Sequence, residues 1–292
     1  MTTTVGRLRD SVRKPPNSLL FQWLLAAAFL IPFLASIGQF AHTGFLGITH
    51  PFPILFWPKA AWKLVLPLPV WLTMGLMGLS YLAGIFSLAH NRTLGNVVLW
   101  TIAALIAASV LGFAVNSVTG WKELQDIHSM ELAGKANGLI FSSWQNPLWE
   151  EVVFRGLPLL VAVILRNKNK TMPAWVRWAY VILPNIVFAI YHVPRHGPSR
   201  LADTFVLGCA FSWMALRYSF FAPLIMHYVL DAMLVMSLIK IPNIPAEEIS
   251  WLVQNGGWIN SSWSLAVLGA MGAFVVTSLW NALHVKKEAA AT

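Results

Sequence analysis

Residues 139–165 read LIFSSWQNPLWEEVVFRGLPLLVAVIL, and this stretch decides the class of fold. It is long enough to cross a bilayer, since a spanning helix needs roughly 20 predominantly apolar residues. It nevertheless contains Glu150, Glu151 and Arg155. An ionisable side chain at the bilayer centre costs about 2.5–3.5 kcal/mol even on lenient insertion scales. The stretch therefore predicts a membrane-spanning helix whose charges serve either chemistry or a buried structural network.

The rest of the chain has the same apolar character. Hydrophobic residues make up 57% of the 292 residues and charged residues only 11%, whereas an ordinary soluble domain is about 25% charged. We predict membrane spans at residues 18–40, 64–89, 96–118, 139–165, 174–192, 202–216, 221–239 and 263–284. The predicted fold class is all-α, a polytopic bundle of about eight transmembrane helices in the lipid bilayer.

The positions of the basic residues predict how the chain is oriented. The net charge of +9 is compatible with nucleic-acid binding, but most Lys and Arg residues lie at alternate ends of the predicted spans. By the positive-inside rule, both termini then face the cytoplasm. We expect an integral protein of the plasma (inner) membrane that binds no nucleic acid. Its predicted parts are a cytoplasmic tail at 1–17, one transmembrane domain at 18–284 with a polar core at about 139–239, and a tail at 285–292.

Two loops between the predicted spans have distinctive compositions. Residues 50–63 are rich in proline and tryptophan, which is typical of an interfacial or re-entrant segment. Residues 119–138 carry charges of both signs, and we expect them to form a short surface helix.

Helix geometry indicates different roles for the three charged residues of the fourth predicted span. Glu151 and Arg155 are four residues apart, so they share a helix face and can form an ion pair. Glu150 is rotated by about 100° from its neighbour and cannot easily share that arginine. A purely structural cluster would explain the ion pair but not Glu150. Glu150 is therefore our candidate for an acid that is kept available for another task.

Two later spans carry further polar groups. His192 lies at the end of an apolar face, with Phe188 one turn earlier, and His227 and Asp231 are four residues apart on one face. A single histidine within a membrane is more often a helix–helix hydrogen-bonding residue than a catalyst. When three helices each contribute acid or imidazole groups, those groups are expected to meet in a shared, water-filled cavity.

His196 follows His192 by four residues, which raises the possibility of a metal-binding pair. Pro194 lies between the two histidines, and proline is expected to break the helix there. We therefore predict that the two imidazoles do not share a face. His196, Arg195 and Arg200 are interpreted as a polar rim.

Three short motifs occur in order on these separate spans. They are EEVVFR at 150–155, FAIYH at 188–192 and HYVLD at 227–231, and they fit the patterns EExxxR, FxxxH and HxxxN/D. In order and spacing they resemble the CAAX protease and bacteriocin-processing (CPBP, or Abi) family. This family of intramembrane endopeptidases includes the type II CAAX prenyl endopeptidases. The resemblance extends from residue 146 to about residue 236.

The resemblance implies hydrolysis of a peptide bond in a membrane-associated peptide or protein. It implies that Glu150 and His192 activate a water molecule. It also implies that His227 and Asp231 stabilise the oxyanion, while Glu151 and Arg155 support the site. Whether the substrate is prenylated stays open at this stage.

The last motif residue leaves the role of a metal open. Prenyl-endopeptidase members usually have Asn there, whereas this chain has Asp231, and an ionised carboxylate cannot donate a hydrogen bond to an oxyanion. Asp231 can be protonated, can orient His227 or can bind a metal. Glu150, His192 and His227 form an acceptable ligand set for Zn²⁺. We favour a mechanism without a required metal and expect no other cofactor.

Two other classes of function remain as alternatives. Buried Glu, Arg, His and Asp residues also serve proton-coupled transporters and carriers as relays. Transporters often show internal repeats with broken helices in both halves, whereas here the buried charge is confined to the second half of the chain. The third class is a noncatalytic membrane scaffold or immunity protein.

Overall fold

The computed structural model describes residues 18–56, 63–122, 136–165, 172–237 and 244–290. The predicted N-terminal tail at 1–17 lies outside these ranges. The structure confirms the predicted all-α helical bundle. Its helices are α1 (Leu19–Thr43), α2 (Val70–His90), α3 (Leu94–Thr119), α4 (Ala136–Glu151), α5 (Leu157–Ile164), α6 (Ala174–His196), α7 (Leu201–Arg217), α8 (Phe221–Ser237) and α9 (Ser250–Ala290).

Five of the described helices are long and apolar enough to cross a membrane. They are α1, α2, α3, α6 over Ala174–Pro194 and α9 over Ser250–Trp280. Helices α7 and α8 contain 17 residues each, so the count of eight spans stays a prediction. Helix α9 starts earlier than the predicted last span and continues to Ala290, through most of the predicted C-terminal tail. The length and composition of these helices are those of an integral membrane protein.

A small β-hairpin lies between α1 and α2. Strand β1 (Thr49–Phe56) pairs with β2 (Lys63–Pro69) in an antiparallel two-stranded sheet. The sequence predicted an interfacial or re-entrant segment for residues 50–63 and the start of the second span for residues 64–69; it predicted no strands. A two-stranded sheet has only edge strands, and these tolerate proline. Residues 57–62 of this loop, and residues 123–135 of the predicted surface helix, lie outside the described ranges.

An aromatic cluster forms the centre of the bundle and joins the helices that carry the polar motifs. The Trp144 ring packs edge-on against Phe33 at 4.7 Å and against Tyr81 at 5.2 Å between ring centroids. Tyr81 in turn packs edge-on against Tyr228 at 5.4 Å. Such pairs are each worth about 0.5–1.5 kcal/mol beyond their buried area. The cluster therefore fixes α8, through Tyr228, against α2 and α4.

The polar atoms of this cluster all find partners, as buried polar groups within a bilayer must. Trp144 Nε1 donates to Ser36 Oγ at 2.8 Å, and the Tyr81 hydroxyl donates to the Phe29 carbonyl oxygen at 2.6 Å. The Tyr228 hydroxyl lies 3.1 Å from Ser80 Oγ. These bonds fix the rotation of α4 and α8, which sets where Glu150 and His227 point.

Helix α2 approaches α8 closely at one glycine, which provides a test of this packing. A Cβ atom on Gly84 would lie 2.8 Å from Ile225 Cδ1 and 3.0 Å from Phe221 Cδ1. We predict that Gly84→Ala lowers stability by about 1–3 kcal/mol, the usual cost of overpacking. Thermal unfolding of the purified protein in detergent measures this effect.

Gly75 in the same helix provides the matched control, because a Cβ atom there would meet no atom within 4 Å. Gly75→Ala should be neutral or should stabilise the helix by about 0.5–1 kcal/mol. Equal melting temperatures for the two variants would contradict the close approach of α2 and α8.

Candidate functional site

A polar cavity of about 530 Å³ lies among helices α3, α4, α6, α7 and α8. Glu150, His192, His227 and Asp231 all line it. The structure therefore brings together the four residues that the sequence predicted as a shared site, although they come from three different helices. The remaining wall contains apolar side chains and a second polar group nearer α7.

Glu150 reaches the cavity from the last turn of α4. The residue is 6% exposed, and its Oε2 lies 3.7 Å from Nε2 of His227. This distance is longer than a direct hydrogen bond. It is compatible with one water molecule that contacts both groups. Glu150 therefore faces the cavity with a carboxylate oxygen directed towards an imidazole.

The helix changes geometry directly after the two glutamates. Residues Val152–Gly156 form a π-helical turn between α4 and α5. Pro158 follows, and it has no N–H to donate to the Phe154 carbonyl while its ring crowds that carbonyl. A wider turn before the proline relieves this conflict. Single π turns of this kind often occur at functional sites, and this one contains Arg155.

The predicted ion pair between Glu151 and Arg155 is present. Arg155 Nη1 donates to Glu151 Oε1 at 3.0 Å, and both side chains are fully buried. The guanidinium group lies over the Phe188 ring at 4.1 Å from its centroid, where the negative face of the ring attracts a cation. The pair thus links α4 to the helix that carries His192.

Glu151 has a second contact that the sequence did not predict. Its Oε1 also accepts a hydrogen bond from Nδ1 of His227 at 2.8 Å. The other ring nitrogen of His227 faces Glu150, and it lies 4.0 Å from Oδ1 of Asp231 on the same face of α8. Glu151 is therefore more than a counter-ion for Arg155, because it fixes the orientation of the His227 ring.

His192 is oriented by its own helix. Its Nδ1 lies 2.8 Å from the Phe188 carbonyl oxygen. A carbonyl oxygen only accepts hydrogen bonds, so Nδ1 must carry the proton in this contact. In the neutral ring Nε2 then keeps its lone pair. His192 is thus positioned to accept a proton from a molecule in the cavity.

The prediction that Pro194 separates His192 from His196 is wrong. Helix α6 continues through Pro194 to His196, as it also does through Pro184, because membrane helices tolerate a proline where neighbouring groups satisfy the freed backbone carbonyl. The two imidazole rings stack at 5.9 Å with an interplanar angle of 20°. They therefore share a face, and both line the cavity.

The predicted polar rim is partly visible. Arg200 lines the cavity, and its Nη1 forms an ion pair with Asp203 Oδ2 at 3.0 Å. The side chain of Arg195 lies outside the described part of the structure. Arg200 and Asp203 thus form a second charged group in the cavity wall, in addition to His196.

The described side chains do not form a metal centre as they are arranged. Among these residues, no group of three or more His, Cys, Asp and Glu side chains is placed to hold one ion. Whether Glu150, His192 and His227 bind zinc, or act without a required metal, stays a prediction.

Behind the cavity-lining side chains lies a layer of residues (Asn185, Gly208 and Ser212) that the sequence did not predict as part of the site. Asn185 is fully buried and accepts a hydrogen bond from Arg155 Nη2 at 3.0 Å. Its position seven residues before His192 places both on one helix face, so an amide in an apolar span was a usable signal. Gly208 and Ser212 on α7 also belong to this layer, and nothing in their own sequence context predicted it.

The buried ion pair predicts different effects for the two adjacent glutamates. Losing either member of a buried pair leaves the other charge unpaired, at a cost of about 3–5 kcal/mol. Glu151→Gln and Arg155→Ala should therefore lower the melting temperature more than Glu150→Gln does. Thermal unfolding in detergent compares the three variants. Equal melting temperatures would show that the pair does not stabilise the bundle.

Comparison with known proteins supports the resemblance of the motifs. Residues 134–233 match the family described as type II CAAX prenyl endopeptidase Rce1-like. The match covers about a third of the chain and includes all three motifs. No curated protein and no solved structure matches the chain.

Proposed function

We propose that this chain, whose residues 134–233 match the Rce1-like type II CAAX prenyl endopeptidases, is an intramembrane endopeptidase. At family level the match supports a CAAX-type intramembrane protease. The finer proposal is that the cavity hydrolyses a peptide bond of a membrane-associated peptide or protein. The observation that carries it is the meeting of Glu150, His192 and His227, from three helices, in one cavity.

The first step is activation of a water molecule. Glu150, directed into the cavity and 3.7 Å from the His227 ring, takes a proton from the water as general base. The Nε2 lone pair of His192 accepts a hydrogen bond from the same water and aligns it. The water oxygen attacks the carbonyl carbon of the scissile bond. General bases of this kind typically contribute about 10²–10⁴-fold to the rate.

The second step is stabilisation of the negative oxygen that this attack creates. In its protonated, imidazolium form His227 donates from both ring nitrogens: Nδ1 donates to Glu151, and Nε2, which faces the cavity, donates a hydrogen bond to the oxyanion. Such a donor is effective when it is fixed in place before the reaction, and the bond from His227 Nδ1 to Glu151 fixes it. Asp231 supports His227 from one turn away, and it donates to the oxyanion itself when protonated.

The third step is release of the amine product. Glu150 returns its proton to the nitrogen of the scissile bond as the C–N bond breaks. The products are one carboxylate and one amine, and the site is regenerated. No cofactor enters these steps. Glu151 and Arg155 take no proton and act by holding the site together.

Part of the cavity wall can hold an apolar segment of a substrate. Leu139, Leu207 and Leu230 line the cavity among the more numerous polar residues. We propose a peptide segment that lies in or at the bilayer. The proposal leaves a prenyl group optional, and it retains the plasma membrane and cytoplasmic termini predicted from the charge pattern.

Exchange of Glu150 tests the general base. Glu150→Gln should lower the cleavage rate by about 10²–10⁴-fold while the protein still folds and inserts. The assay uses purified protein in liposomes with a library of apolar peptides that includes an S-farnesylated CAAX peptide, and mass spectrometry detects the fragments.

Glu247→Gln is the matched control, since Glu247 is exposed on the turn before α9 and should leave the rate unchanged. Full cleavage by Glu150→Gln would remove Glu150 from the mechanism. Absence of cleavage by the wild-type protein, together with proton-coupled uptake into the same liposomes, would favour the transporter alternative. A protein that shows neither activity would favour the scaffold.

Metal removal tests the choice of a mechanism without a metal ion. Purified active protein should contain less than stoichiometric zinc and should keep its activity after treatment with a chelator. Elemental analysis before and after chelation, with zinc added back, makes the measurement. Stoichiometric zinc whose loss abolishes cleavage, and whose return restores it, would show that the side chains rearrange around an ion.

A further inference from the structure

We propose that Asn185 is a positioning residue of the site. It holds the Arg155 guanidinium group, and through that group it sets the orientation of the His227 ring. The inference rests on the proposed function, because positioning matters only if there is a reaction to serve. Neither the motifs nor the family match assigns a role to Asn185.

The Asn185 amide has a single orientation in its surroundings. Nδ2 donates to the Val181 carbonyl oxygen at 2.8 Å and to Ser212 Oγ at 2.7 Å. Because the Val181 carbonyl can only accept, the NH₂ end of the amide must face it. The oxygen end therefore faces Arg155 and accepts from Nη2 at 3.0 Å. The π-helical turn that carries Arg155, helix α6 and helix α7 therefore meet at this amide.

Arg155 connects the Asn185 amide to Glu151 and His227 in the site. Its two terminal nitrogens bind different acceptors, Glu151 on its own helical segment and Asn185 on α6. With both bonds present, the planar guanidinium group cannot rotate without losing one of them. The Glu151 oxygen that it holds, Oε1, is the same atom that accepts from Nδ1 of His227. A shift of the guanidinium group is therefore transmitted to His227 through one shared oxygen.

Gly208 on α7 leaves just enough space for this arrangement. A Cβ atom at Gly208 would lie 2.5 Å from Asn185 Oδ1 and 3.0 Å from Arg155 Nη2. The amide and the guanidinium group are thus packed against the α7 backbone. Ser212, one turn later on α7, holds the other end of the amide. This close fit limits the bonded pair to one position.

The experiment compares Asn185→Ala with Gln22→Ala. Gln22 is also a buried carboxamide, 1% exposed, and its Oε1 accepts from the Gly95 backbone N–H at 2.9 Å. It lies on α1, outside the cavity lining. Both variants should lose stability. Only Asn185→Ala should lower kcat, by about 10–100-fold as expected for a misplaced catalytic group, with KM nearly unchanged.

Nitrogen-15 NMR of histidine-labelled protein in detergent supplies a second readout. A loss of stability alone would not change this readout. The His227 signals are assigned by their absence in His227→Gln. We expect Asn185→Ala to shift the His227 Nδ1 signal, Ser212→Ala to shift it less in the same direction, and Gln22→Ala to leave it in place. If Asn185→Ala does not fold, Ser212→Ala decides the question.

If Asn185→Ala and Ser212→Ala both left the His227 signal and kcat unchanged, the inference would be overturned. The same shift in Gln22→Ala would also overturn it, since the effect would then be a general result of destabilisation. If the wild-type protein cleaves no peptide, the proposed function fails. The NMR comparison still decides whether Asn185 positions His227, so the two failures are distinguishable.

Discussion

The architecture of the site depends on one fully buried ion pair, Arg155 with Glu151. A charge in an apolar bundle is tolerated mainly when it is paired with an opposite charge and hydrogen-bonded. Arg155 therefore requires an acceptor from α6 as well as one from its own helical segment, and it lies against the Phe188 ring. These requirements bring α6 against the helical segment that carries Glu151 and Arg155. The positions of the cavity-lining groups on α4 and α6 follow from that junction.

The adjacent residues Glu150 and Glu151 have different roles, which one residue could not combine. Glu151 is held by Arg155 and by His227, so its charge is committed to structure. Glu150 is rotated towards the cavity and faces His227 across 3.7 Å. A general base must be able to gain and lose a proton, whereas the counter-ion of a buried arginine must keep its charge. The network therefore stabilises the bundle and leaves the Glu150 carboxylate facing the cavity for the proposed hydrolysis.

The sequence predicted the membrane bundle, the ion pair and the residues that meet in the cavity, because helical periodicity and the cost of buried charge act locally. It failed where distant segments determine the outcome. The bond between Glu151 and His227 joins residues 76 positions apart. The space beside Gly208 exists only once α7 packs on α6 and on the π-helical turn that carries Arg155. The expectation for Pro194 was wrong because membrane helices tolerate an internal proline more readily than helices in water do, as Pro184 in the same helix also shows. The hairpin was missed because prolines are rare in strands other than edge strands, so the segment did not resemble a strand pair.

The most direct test of the account is an experimental structure of the protein with a phosphinate analogue of an apolar peptide, whose tetrahedral phosphorus imitates the attacked carbonyl carbon. The account predicts that one phosphinate oxygen lies within hydrogen-bonding distance of the Glu150 carboxylate, about 2.5–3.0 Å. The other oxygen should lie within about 2.7–3.2 Å of His227 Nε2. An analogue bound outside the cavity, or with its phosphorus beyond the reach of both side chains, would contradict the proposal that these residues hydrolyse peptides.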